Sequence, residues 1–183
     1  MQLHIGIAGR ARAGKDTVAQ FMIDYFHSFG IQAVRVGLAD KVKEIVADLY
    51  GFSHEQCHGS LKDVIDFRYG FTPRFAFQRF GTEVARQVYQ DTWVNYVLDH
   101  SVDGVTIIPD VRFHNEAEAI LNRGGLIIGI SNPTVDQIPI SHESEQYAAE
   151  IMARATYKIY NDGTLGALKF RAERAAAVLA LSL

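Results

Sequence analysis

Apolar positions in this chain come in two rhythms. Short unbroken runs alternate with longer segments whose apolar residues recur at helical spacing. Residues 3–9 form the first unbroken run and predict a strand buried on both faces, at the centre of a sheet. Residues 15–29 carry helical periodicity and stop at Gly30. Residues 32–38 predict a second strand. Asp40 stands at the cap position of a helix running through Val42, Ile45, Val46 and Leu49 to Gly51. Residues 53–59 suit a loop or short helix, and Leu61 to Phe67 another short helix. Arg68 to Arg74 predicts a mobile connection carrying cations and aromatics.

A longer helical region spans about Pro73 to Tyr89, with a kink expected near Gly81, and the next helix carries Trp93, Val94, Tyr96, Val97 and Leu98. Residues 105–109 predict a third buried strand with Asp110 at its carboxyl end. Residues 113–123 are helical, and 126–131 form a fourth strand. Residues 132–140 are irregular, with Pro133 and Pro139. A polar helix runs from Ser141 to about Arg154, and 156–160 form the last strand. Asn161-Asp162-Gly163 then turns the chain into an alanine-rich closing helix. Strands alternating with helices imply an α/β fold, with a parallel sheet covered on both faces. In such sheets ligands sit beyond the carboxyl ends of the strands.

Composition narrows this picture. A chain of 183 residues suits one domain with a full core. A net charge of −3 gives no sign of a nucleic-acid-coating protein. No apolar run reaches the length of a membrane span, and the first residues read as a strand and not as a signal peptide. Cys57 is the single cysteine, which excludes an intrachain disulfide and suits a reducing, cytoplasmic setting. His54, Cys57 and His58 lack the second cluster that a structural metal site needs, so they read as a surface loop.

Candidate chemistry concentrates between the first strand and the first helix. Gly9-Arg10-Ala11-Arg12-Ala13-Gly14-Lys15-Asp16-Thr17 has the strand–loop–helix context of a phosphate-binding loop. Its glycines let backbone N–H groups turn inward, the helix start adds a partial positive charge, and Lys15 supplies a full one. Asp16 departs from the usual pattern: it stands where Ser or Thr normally meets magnesium, and Thr17 follows one place late. Either Asp16 serves the metal, or it caps the helix and leaves the metal to Thr17. Asp110, at a strand end, could hold magnesium or cap the next helix. Arg112 could clamp a phosphate, or pair with Asp110 or Glu116. Two further stretches suit a second substrate or simply solvated helix faces: Arg68 to Arg74 with Gln78-Arg79-Phe80-Gly81-Thr82-Glu83, and Ser141-His142-Glu143-Ser144-Glu145.

Taken in order, Gly14-Lys15-Asp16-Thr17, Gly81-Thr82-Glu83, Trp93-Val94, Ile108 to Arg112, Ser141 to Glu145 and Asn161 to Leu165 resemble the phage-type deoxynucleoside monophosphate kinases of the P-loop nucleotide-kinase superfamily. The resemblance spans most of the chain and is poorest at residues 50–75. It implies a three-layer α/β/α P-loop NTPase-type fold in a single domain. The core would cover about 1–50 and 102–183, with a helical monophosphate-binding insert at about 51–101 and a short lid at about 132–154. It also implies transfer of phosphate from ATP, with Mg2+, to a deoxynucleoside monophosphate (dNMP).

On that likeness Gly9 to Thr17, with Asn161 and Gly163, bind ATP, although Asn161 also suits a plain turn. Lys15, Asp110 and Arg112 carry catalysis, and Asp16 and Asp110 the metal. Arg68, Arg74, Gln78, Arg79, Gly81, Thr82, Glu83 and Trp93 face the monophosphate, and His142, Glu145 and Arg154 belong to the lid. The implied partner is a small-molecule substrate, with no nucleic acid and no membrane. The setting is the cytoplasm, the host's if a phage encodes the chain, and the reading is compatible with a homodimer. Kinases of other small metabolites, of the dephospho-coenzyme A or phosphomevalonate type, share the general architecture. A nucleotide-binding ATPase or switch module is the reading from another class.

Overall fold

The computed structural model describes residues 2–138 and 143–181. Five parallel strands form one sheet in the order β2-β3-β1-β4-β5: β1 (Gln2–Ala8), β2 (Ala33–Arg35), β3 (Gly104–Val111), β4 (Leu126–Ser131) and β5 (Tyr157–Tyr160). The helices in chain order are α1 (Lys15–Ser28), α2 (Asp40–Tyr50), α3 (His54–His58), α4 (Pro73–Gln78), α5 (Arg86–Val88), α6 (Thr92–Asp99), α7 (His114–Asn122), α8 (Pro133–Asp136), α9 (Glu143–Arg154) and α10 (Leu165–Ala180). A 3-10 turn covers Ser60–Asp63, and a widened π turn covers Arg79–Ala85. Helices α1 and α10 pack together on one side of the sheet, and α7 and α9 lie against β1 and β4. This is the three-layer α/β/α arrangement that the alternating pattern implies.

The central place of β1 follows from its sequence. Leu3, Ile5 and Ile7 join Val18, Met22 and Phe26 of α1 and Leu168 and Ala172 of α10 in the core. On the other face Gly6 leaves room that a Cβ would take from Ile127, 2.6 Å away, and Ile120. A strand buried on both faces needs such a continuous apolar run.

The chain separates into two compact units, Met1–Gly37 with Val94–Leu183, and Leu38–Trp93. Several sequence expectations change in the second. Asp40 is the first helical residue of α2, and Ala39 takes the cap position. The helix expected over Leu61–Phe67 ends at Asp63, after which an isolated antiparallel bridge joins Asp66 to Phe71. The connection expected to be mobile over Arg68–Arg74 is tethered. Tyr69 and Phe71 pack on Tyr50, with ring centroids 5.1 and 5.4 Å away, and the Tyr69 hydroxyl donates to the Tyr50 carbonyl. Alternation of single residues does not reveal such a cluster, because its members come from separated segments. In place of the kink expected near Gly81, the whole stretch Arg79–Ala85 widens. Ser53 caps α3 with a reciprocal capping box, and Cys57 is buried within it, burial raising its thiol pKa. In the first unit, residues expected to be irregular after β4 include the short helix α8, started by Asn132 and Pro133.

Candidate active site

Strand β1 ends at Ala8, and the chain then folds a tight loop into α1. Arg12, with φ 64°, is the one non-glycine residue in the left-handed region among the described residues. Gly14 follows at φ 101° as the N-cap of α1 and gives no side-chain cap. The first N–H groups of α1 are thus left without the usual Ser, Thr, Asp or Asn partner, which suits them to anionic oxygens. Both loop glycines are also sterically required. A Cβ on Gly9 would lie 2.6 Å from the Ile130 carbonyl, and one on Gly14 would lie 2.8 Å from Asn161 Nδ2.

Three side chains brace this loop. Lys15 Nζ donates to the carbonyls of Gly9 and Arg10, each at 2.8 Å, so its ammonium lies over the loop. Asn161 Nδ2 donates to the Ala13 carbonyl at 3.0 Å, from the turn that follows β5. Arg10, 5% exposed, sends one guanidinium nitrogen to the Val135 and Asp136 carbonyls, both at 3.0 Å. The Asp136 carboxylate in turn accepts from Ser131 Oγ at 2.7 Å and Asn132 N at 3.0 Å. Arg10 thus ties the loop to α8, a tie that β4 and its following turn prepare. Local pattern could not find it, since the partners are backbone carbonyls more than a hundred residues away.

Asp16 does not cap α1, because Gly14 holds that position. Its carboxylate is 76% exposed and accepts from Arg35 Nε at 3.1 Å, at the end of β2. Asp110 lies near the end of β3, where the pairing of β1 with β3 shifts register between Gly6 and Ala8. Such an irregularity re-aims side chains next to a strand end. Arg112 is exposed. The Glu116 carboxylate accepts the backbone N–H groups of Arg112 at 2.8 Å and Phe113 at 3.0 Å, which closes the start of α7. His114 Nε2 lies 2.9 Å from Glu150 Oε2 on α9, and this bond leads the causes holding Glu150 below the usual carboxylate range. His114 and Arg35 are contacts that no sequence spacing announces.

Among the described residues no group of three or more His, Cys, Asp or Glu gathers as a metal cage. Asp16, at the start of α1, and Asp110, near the end of β3, are carboxylates of the kind whose chemistry suits magnesium. That ion takes one or two carboxylates, keeps waters and completes its shell with substrate phosphates.

The residues expected at a monophosphate site all lie in the second unit. Arg68 pairs with the buried Asp66 through Nε at 2.9 Å and Nη2 at 2.6 Å, and Gln56 donates to the same carboxylate at 2.7 Å. These bonds, that of Arg68 foremost, hold Asp66 far below the usual carboxylate range. Arg74 pairs with Asp63, and Arg79 with Glu83, and both pairs are exposed. Trp93 Nε1 donates to the Gly81 carbonyl at 2.8 Å, while a Cβ on Gly81 would press on Val42 at 3.2 Å. Gln78 and Thr82 are exposed beside them. Arg154 ends α9, Glu145 lies within that helix, and His142 falls outside the described residues.

No family model matches the chain. It is similar, at 29% identity over 149 residues, to a protein of Acanthamoeba polyphaga mimivirus named "Putative deoxynucleotide monophosphate kinase". The match covers 72% of this chain and 75% of the viral one. Among solved structures, a shikimate kinase from Bacteroides thetaiotaomicron superposes with a TM-score of 0.55 at 15% identity, over 97% of this chain and 98% of that one. A dephospho-CoA kinase from Campylobacter jejuni gives 0.50 at 12% identity, over 97% of each chain. The chain has the fold of the P-loop kinases, and the likeness read from its ordered motifs is met by the viral relative.

Proposed function

We propose that this chain is a small-metabolite kinase that transfers the terminal phosphate of ATP to a deoxynucleoside monophosphate. The observation that carries the reading is the phosphate loop itself: an uncapped helix start behind two obligatory glycines, with the Lys15 ammonium already over the loop. The viral relative supports the choice of substrate class.

The chain's part in the reaction is positioning and charge neutralisation, because phosphoryl transfer needs little covalent help. The N–H groups of the loop and of the first turn of α1 receive the ATP phosphates. Lys15 exchanges its two carbonyl partners for phosphate oxygens as charge spreads over the transferred group. Asp110 and Asp16 would hold Mg2+, which would supply charge neutralisation on the ATP phosphates. Arg112 is exposed just beyond Asp110 and is available for the phosphoryl group. An oxygen of the monophosphate is already a competent nucleophile, so no strong base is required. Gln78 to Glu83 and Trp93 form the acceptor side, and the segment about 132–154 serves as the lid.

ADP formation should be followed with Mg2+-ATP against each deoxynucleoside monophosphate, dephospho-coenzyme A and phosphomevalonate. Acceptor-dependent ADP with at least one dNMP, and with neither of the other two, supports the proposal. Turnover confined to dephospho-coenzyme A or phosphomevalonate rejects it, as does hydrolysis indifferent to any acceptor.

A further inference from the structure

The outer strand and the last helix carry a feature that the phosphate loop does not use. A cavity of about 430 Å³ lies along β5 and α10, walled by Tyr160, Phe170, Lys158, Arg171 and Arg174. Phe170 is 65% exposed and Tyr160 51%. The side chains of Lys158 and Arg174 make no hydrogen bond or ion pair with any described residue. Arg171 grips the Tyr160 carbonyl and the Asp162 carboxylate. No carboxylate of the described residues lines the cavity, in a chain whose net charge is −3. Exposed rings beside uncompensated cations recognise a flat aromatic group joined to an anion. The volume falls in the range of about 300–1,000 Å³ typical of small-ligand sites. None of Gly9–Thr17, Asn161 or Gly163 lines it.

We propose that this cavity binds a nucleoside polyphosphate, its base on Tyr160 and Phe170 and its phosphates on Lys158, Arg171 and Arg174, and that its filling slows transfer at the phosphate loop. The route is short. Arg171 holds the residues on both sides of Asn161, and Asn161 holds the Ala13 carbonyl of the loop. Phosphates that draw Arg171 away from Asp162 loosen the brace on Asn161. The loop then loses a contact that maintains its shape. By linkage, ATP at the loop should weaken binding at the cavity by the same factor. The inhibitory half rests on the kinase reading; the binding half does not.

The test uses the full chain with its phosphate loop saturated by a non-hydrolysable ATP analogue and magnesium. Each deoxynucleoside triphosphate is then titrated while backbone amide NMR signals are followed. Shifts at Tyr157–Tyr160 and Ala167–Arg174 are expected. In the double variant Lys158→Ala, Arg174→Ala, half-saturation should rise at least tenfold, while the transfer rate with ATP as the one triphosphate present stays at the wild-type level. The same triphosphate should give mixed inhibition of wild-type transfer, raising the KM for ATP and lowering the limiting rate, and the variant should resist it. Shifts confined to the phosphate loop, or equal affinity in the variant, overturn the site. Binding with unchanged transfer overturns the coupling. A chain that binds at the cavity yet phosphorylates no monophosphate keeps the site and loses the kinase reading, and transfer without this binding does the reverse.

Discussion

The phosphate loop and the Leu38–Trp93 unit brace their cations in different ways. In the unit that carries the phosphate loop, Lys15 and Arg10 donate to backbone carbonyls. In the Leu38–Trp93 unit, Arg68, Arg74 and Arg79 each face a carboxylate. A carbonyl is a neutral acceptor, so exchanging it for a phosphate oxygen separates no ion pair. A carboxylate cancels the charge, so these arginines must change partners before they can serve an anion. The cost of that change separates them. Arg74–Asp63 and Arg79–Glu83 are exposed pairs, a kind that contributes little and is readily exchanged. Asp66, with only 4% of its side chain exposed, is shared by Arg68 and Gln56, so Arg68 is better suited to holding its unit together.

The largest effect expected is that of Lys15→Ala. It removes the ammonium that lies over the loop, and removal of a group of this kind costs roughly 10²–10³ in rate. A folded variant, by circular dichroism, with near wild-type turnover would reject the role given to the loop.

Next comes the buried pair. Asp66→Asn should lower Tm and speed amide exchange at residues 56–71, with the KM for ATP unchanged. Its pH dependence has a definite sign. The folded carboxyl is held far below the ordinary aspartate value of 3.8. Its stabilisation is therefore complete above about pH 4 and is lost as pH falls towards the folded value. Urea unfolding between about pH 4 and pH 2 should thus be less steeply pH-dependent in the variant. Parallel profiles would show that Asp66 contributes no such linkage.

Arg79→Ala sharpens the distinction within the insert. It should raise the KM for dNMP about tenfold, equivalent to roughly 1.4 kcal/mol, and leave that for ATP alone. Arg68→Ala should lower stability more than it alters either KM. A selective rise in the KM for ATP on Arg79→Ala would remove this arginine from the acceptor side.

The smallest effect concerns Asp16, a carboxylate of the loop itself that faces an arginine. Asp16→Asn should raise the magnesium concentration for half-maximal activity a few-fold, with Tm nearly unchanged because the pair with Arg35 is exposed. Superimposable magnesium titrations would assign Asp16 to the Arg35 pair alone.

The parts of this molecule that local chemistry dictates were legible in its sequence. The apolar runs at 3–9, 105–109 and 126–131 became β1, β3 and β4, since a strand buried on both faces has few other compositions open to it. The loop was legible because its glycines stand where a side chain would collide with Ile130 or Asn161, and its setting between strand and helix is itself local. Gly51 ends α2 in the left-handed conformation for the same kind of local reason. What the tertiary structure alone decided depends on partners distant in the chain. Nothing around Arg10 tells that its guanidinium closes on the carbonyls of α8, nor around Asp16 that Arg35 waits at the end of β2. The aromatic cluster that tethers Arg68–Arg74 and the widening of Arg79–Ala85 were hidden likewise. Periodicity records which face of an element is buried, and the packing of other segments determines which group meets it there.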